Sequence, residues 1–204
     1  MYREYAEEKE GIGEYNGAVE FYSKAMEAAR ASRDRVAEGQ ACHRLGKTYI
    51  EVQQPTKAVN FLHEFERICK EVEDLQGSGS AFAALAAAYQ SVNDTDKAIY
   101  YLEQFLDIAT KTENVTAQGE ACCALGVIYN RRGDYKKAVE HFEKNFEIAR
   151  SVVSSGAGDT SLVDSSRVYL GMARGNAMMG KYFMAIDVDL NSLLLWKNNR
   201  QSLA

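Results

Sequence analysis

Proline is almost absent from this chain: Pro55 is the only one in 204 residues. Strand signals are nearly absent too, since valines and isoleucines fall at helical spacing where a half-buried strand would alternate apolar and polar residues. Together these leave an all-helical chain. No apolar run approaches the roughly 20 residues that span a bilayer. No charged-then-apolar leader opens the sequence either, so the expected location is cytoplasmic. A basic surplus is also missing, and a formal net charge of −5 with a pI near 5.4 gives no electrostatic footprint for nucleic acid.

The usual carriers of chemistry are equally thin. Cys42, Cys69, Cys122 and Cys123 lack the paired spacing of a zinc site, and Cys42 and Cys122 occupy equivalent places in a repeat, which marks them as small packing residues. His43, His63 and His141 fall on different predicted helices without a second histidine at ligand spacing. Leu45-Gly46-Lys47-Thr48 ends like a phosphate-binding loop, but Ala41 stands where its first glycine belongs. Gly156-Ala157-Gly158-Asp159-Thr160 has no strand before it. The expectation is therefore no catalytic residue, no cofactor and no metal.

What the chain does contain is self-similarity. Apolar residues make up 46% and charged residues 26%, the balance of a soluble globular protein. Ala18, Ala58, Ala98 and Ala138 stand 40 residues apart, as do Leu45, Leu85 and Leu125, and Tyr49, Tyr89 and Tyr129. One structural unit is being reused. Its clearest copy is Glu120 to Arg150, where Cys122, Leu125, Gly126 and Tyr129 form one helix face and Arg132-Gly133-Asp134 breaks the pattern. A second amphipathic run follows with Ala138, Val139, Phe142 and Phe146 on its inner side. Small residues at Gly46, Ala86 and Gly126 let the helix axes approach closely.

Taken in order, the units run over about 1–32, 36–72, 77–112, 115–150 and 162–197, forming one domain over 1–204 with about ten helices. Ser151 to Ser161 is rich in serine and glycine and reads as a flexible loop. Beyond it Gly180-Lys181-Tyr182 reads as the next turn. Tyr169, Met172 and Ala173 then form the inner face of the fifth first helix, and Leu193 to Trp196 closes the last one or forms a patch for a neighbour.

Leu125-Gly126 with Tyr129, Gly133, Tyr135, Ala138 and Phe142 resembles the tetratricopeptide repeat, and Leu45, Gly46, Tyr49, Ala58 and Leu85, Ala86, Tyr89, Ala98 repeat the match in register. Cys122 departs from the family's usual tryptophan, and the proline that commonly ends the second helix is missing around Lys70, Thr110 and Arg150. The resemblance implies a right-handed α-solenoid of about five helical hairpins that acts as a protein–protein scaffold. Six residues beyond the usual period add ~9 Å of helix per repeat. The stretches Gly171 to Tyr182 and Leu194 to Arg200 resemble the tetratricopeptide proteins of motile cilia and sperm flagella, which implies an axonemal place near dynein arms or their transport. The alternatives are an adaptor for signalling or cargo peptides, and a docking or regulatory subunit of an enzyme.

In such a fold the first helices line a concave groove, and their non-core residues are the expected contacts: Gln40, His43, Arg44, Lys47, Gln90, Glu120, Asn130, Arg131, Arg167 and Arg174. Basic ends and an alanine-rich centre at Ala83, Ala84 and Ala87 suit an acidic or amphipathic helical segment. The same alanines could equally be interhelix packing. A chaperone tail is not the expected ligand, because Ala84, Ala87, Glu120 and Ala124 stand where that family branch needs asparagine and basic residues. Lys47, Ala87 and Val127 likewise depart from the polarity scaffolds' Leu-Gly-Asn.

Overall fold

The computed structural model describes residues 1–156 and 160–188 together with 191, 194, 197 and 198, with the backbone alone at 180, 181, 184, 185, 187 and 188. Among these residues there are nine helices and no strand. They are α1 (Tyr2–Gly11), α2 (Tyr15–Ala31), α3 (Arg35–Glu51), α4 (Pro55–Glu71), α5 (Leu75–Ser91), α6 (Thr95–Lys111), α7 (Val115–Arg132), α8 (Tyr135–Ser154) and α9 (Thr160–Val188).

The turns explain the period. Residues in the left-handed region recur at 20-residue intervals, at Gly13, Arg33, Gln53, Glu73, Asn93, Glu113 and Gly133. Each carries out the same chain reversal. After α2, for example, the Arg33 N–H donates to Arg30 O at 3.1 Å and the Asp34 N–H to Ala29 O at 3.0 Å, closing the helix with paired reversed bonds. Asp34 then opens α3 by accepting from the Ala37 N–H at 3.0 Å. Asp74, Asp94, Asn114 and Asp134 repeat this double role. A 17-residue helix and a three-residue turn, taken twice, produce the 40-residue repeat.

The chain forms two compact units, Met1–Ala117 and Gln118–Ala204. In the first, α1 pairs with α2, α3 with α4 and α5 with α6 as antiparallel hairpins, and α3 also touches α5. The repeated residues sit where packing needs them: Leu45, Leu85, Ala18, Ala58 and Ala98 are fully buried. Each such leucine contributes about 1.5–3 kcal/mol by leaving water. Tyr49 stacks on Phe61 with centroids 5.5 Å apart, and Tyr89 on Tyr101 at 5.4 Å. The second unit repeats the scheme, with Leu125, Ala138 and Phe142 fully buried and Tyr129 stacked on His141 at 5.5 Å.

Three expectations change. The serine-rich stretch is helical at both ends, since α8 runs on through Ser154 and α9 begins at Thr160. No turn forms at Gly180-Lys181-Tyr182, where α9 continues, so nine described helices stand where about ten were expected. Lys181 occupies the place of Asp134 and, unlike aspartate, has no side-chain oxygen to favour a new helix start there. The buried face of α9 is also shifted, for Leu170, Ala173 and Ser166 are buried while Tyr169 and Met172 are exposed. Leu170-Gly171 is thus the counterpart of Leu125-Gly126. Of the Leu193 to Trp196 cluster only Leu194 is described, and it is exposed; the rest lies outside the described residues.

Candidate functional site

Within 1–117 the first helices α3 and α5 lie side by side, each braced from behind by the second helices. On α3, Gln40 and Lys47 are exposed, and Gln40 Oε1 accepts from Arg3 Nη1 at 3.4 Å. Arg44 is half-buried and turned toward α1, where its guanidinium lies 3.7 Å from Glu7 and 3.9 Å from Glu10. The same Glu10 accepts from the Tyr22 hydroxyl at 2.8 Å. Burial first, then this hydrogen bond, push the Tyr22 phenol well above its ordinary range.

His43 is a packing residue as much as a surface one. Its ring stacks on Phe65 with centroids 4.7 Å apart. Burial pushes the imidazole down to about 4, helped by Lys47 and Arg44, so it presents no charge at neutral pH. On α5 the three alanines divide: Ala84 is buried, Ala83 is half-buried and Ala87 is exposed. Gln90 at the end of that helix is exposed as well. The centre of this face is consequently narrow-walled and partly apolar.

In the second unit Glu120 and Arg131 are exposed on α7, and Asn130 accepts from Asn176 Nδ2 at 3.0 Å. Arg174 of α9 donates to Glu143 of α8 at 2.6 Å, and Arg167 pairs with Asp164 one turn away at 3.1 Å. Sequence spacing could not reveal that Arg44 and Arg174 meet carboxylates on neighbouring helices. Exposed pairs of this kind contribute little to stability, about 0–1 kcal/mol, but they leave less free positive charge than the residue count suggests.

Two features were not legible beforehand. Asn145 of α8, buried where Phe65 and Phe105 stand in other units, donates to Gly119 O at 2.8 Å and so ties two helices together. A groove of about 700 Å³ opens between the start of α8 and α9, lined among others by Tyr135, Val139, Ala177 and Met178. Only the methionine-rich run of α9 hinted at it. No cluster of three metal-ligating side chains occurs among the described residues. Burial raises the Cys42 and Cys69 thiols to about 11, far from a reactive thiolate at neutral pH.

Residues 81–116 and again 119–151 match the family description "Tetratricopeptide repeat". These two segments are thus similar to tetratricopeptide repeats. The repeat architecture extends to solved structures that share the fold. BtubC (BKLC) from P. vanneervenii superposes with a TM-score of 0.76 at 18% identity, over 84% of this chain and 70% of that one. The apo form of RapI gives 0.75 at 16% identity over 91% of this chain, which spans 50% of RapI. Nearly identical TPR-like repeats assigned to a kinesin light chain of Podosopora anserina give 0.69 at 20% identity over 98% and 95% of the two chains. A comparison with curated protein sequences finds no match. The similarity to tetratricopeptide repeats supports a protein-interaction scaffold. No described helix is long and apolar enough to cross a membrane.

Proposed function

We propose that this chain is a non-catalytic scaffold that holds protein segments against its first helices, and that it serves in the axoneme of motile cilia or flagella beside dynein arms or their transport. The observation that carries the scaffold reading is the α3–α5 pair. Its two helices present Gln40, Lys47, Ala87 and Gln90 side by side, exposed, over a core formed from the repeat residues. An amphipathic or acidic helical segment suits that face, with Lys47 as its exposed cation and Ala87 as a shallow apolar step.

The axonemal part rests on the resemblance of Gly171 to Tyr182 and Leu194 to Arg200 to ciliary tetratricopeptide proteins. Tagged chain expressed in ciliated cells tests it, with capture and mass spectrometry of the bound proteins. Enrichment of axonemal dynein-associated proteins is the expected result. Enrichment of cytosolic signalling or cargo proteins without axonemal ones would replace that reading with the adaptor one.

A further inference from the structure

The α9 helix has an unfilled side. Within the first unit α3 lies between α2 and α4, and α5 between α4 and α6. Among the described residues α9 packs along α8 and reaches α7 through the Asn176–Asn130 bond. Among the described residues no further helix closes the hairpin of α9, because α9 runs straight through Gly180-Lys181-Tyr182.

The glycine after the conserved-in-repeat leucine locates the missing contact. At Gly46 a methyl group would meet Leu62 of α4 at 2.5 Å, and at Gly126 it would meet Phe142 of α8 at 2.6 Å. At Gly171, and one turn on at Gly175, it would meet nothing within 4 Å. Around these glycines the side chains are apolar and exposed: Val168 at 69%, Met179 at 48% and Ile186 at 42%. The groove of about 700 Å³ beside α8 adjoins the same side through Ala177 and Met178. A further parallel concerns His63 of α4, which touches Tyr89 of α5 and Tyr101 of α6. Its counterpart Glu143 meets Arg174 of α9, and no third helix completes the set among the described residues.

We infer that this side of α9 docks one amphipathic helix of a partner protein, built like the chain's own second helices. It carries a small residue and, four positions later, a leucine or phenylalanine that fills the space over Gly171, as Ala58 with Leu62 and Ala138 with Phe142 do for Gly46 and Gly126. The surface continues an interface that the chain already makes twice. A second copy of the chain is the poorer occupant. Its helices of this type have Leu62 and Phe142 fully buried already, and α9 against α9 would set glycine opposite glycine. The inference deepens the scaffold reading while using a surface other than the α3–α5 face, so the two fail separately.

The test uses the full chain and a fluorescent, end-capped peptide of residues 54–72, followed by anisotropy. Saturable binding is expected, and Gly171→Leu in the chain or Leu62→Ala in the peptide should each weaken it by about tenfold or more by filling or emptying the same space. Lys47→Ala should leave it unchanged. Gly171→Leu has room to fold, and circular dichroism should show helicity equal to the parent. The inference is overturned by absence of saturable binding to the intact chain, by binding indifferent to Gly171→Leu, or by self-association in sedimentation that Gly171→Leu abolishes, which would make a second copy the occupant.

Discussion

Phe142 of α8 presses its ring edge on the backbone of Gly126 in α7, so closely that a methyl group at Gly126 would lie 2.6 Å from Cε1. The ring cannot easily retreat. It is fully buried and stacked on Tyr169 with centroids 5.5 Å apart.

Gly126→Ala should therefore destabilise the protein. Overpacking costs about 1–3 kcal/mol, and the better helix propensity of alanine returns only about 1 kcal/mol. Gly171→Ala should do the opposite and stabilise by up to about 1 kcal/mol, since its added methyl meets nothing. Urea midpoints of the two variants should move in opposite directions, and adding Phe142→Leu should recover part of the Gly126→Ala loss.

The turns make a second pair of opposite effects. Gly133→Ala places a side chain at φ +83 and should cost about 1 kcal/mol, whereas Glu73→Gly relieves a residue already at φ +55 and should be neutral or stabilising by up to about 1 kcal/mol. Asp74→Ala should lose about 1 kcal/mol by removing the cap on the Gly77 N–H. Thermal melts of the three variants test the scheme. A melting point for Gly133→Ala equal to the parent would contradict it.

Much of this fold is legible in the residues themselves. Leu45, Leu85 and Leu125 and the alanines at 40-residue steps mark the core because packing tolerates few alternatives there. The half-period of 20 is hidden, because Arg33, Gln53, Glu73, Asn93 and Glu113 adopt the left-handed conformation without being glycine. At α9 the reverse holds: Gly180 suggests a turn, yet the helix runs on through it. The candidate surface was harder to read. Arg44 and Arg174 look free in sequence, and only the packing of α1 and α8 brings Glu7, Glu10 and Glu143 to them.

Acid should destabilise the native chain through His43. Burial holds its folded value near 4 against an ordinary 6.5, so the unfolded state binds the proton first, and stability falls as pH drops from about 6.5 toward 4. His43→Phe should flatten that part of the urea-midpoint profile. An imidazole titrating near its ordinary value by NMR would show that the stacked, half-buried placement is wrong.

Glu38 adds a second acid-sensitive contact lower on the scale. Burial alone would raise its carboxyl, but Arg30 Nε at 2.7 Å and Arg35 Nη1 at 2.6 Å outweigh it and hold the value below the ordinary 4.5. This stabilisation is present above the unfolded value and is lost as pH falls through the folded one. Glu38→Gln should cost about 1–2 kcal/mol at pH 7, discounted for the solvent exposure of both arginines. The difference from the parent should shrink as pH approaches and passes below the folded value, measured by denaturant unfolding at fixed salt.

The most direct measurement of the scaffold account is hydrogen exchange on the chain with and without the proteins captured from ciliated cells. Slowed exchange should concentrate on the first helices, above all around Gln40 to Lys47 of α3 and Ala87 to Gln90 of α5. Slowing confined to the second helices α2, α4, α6 and α8 would contradict it.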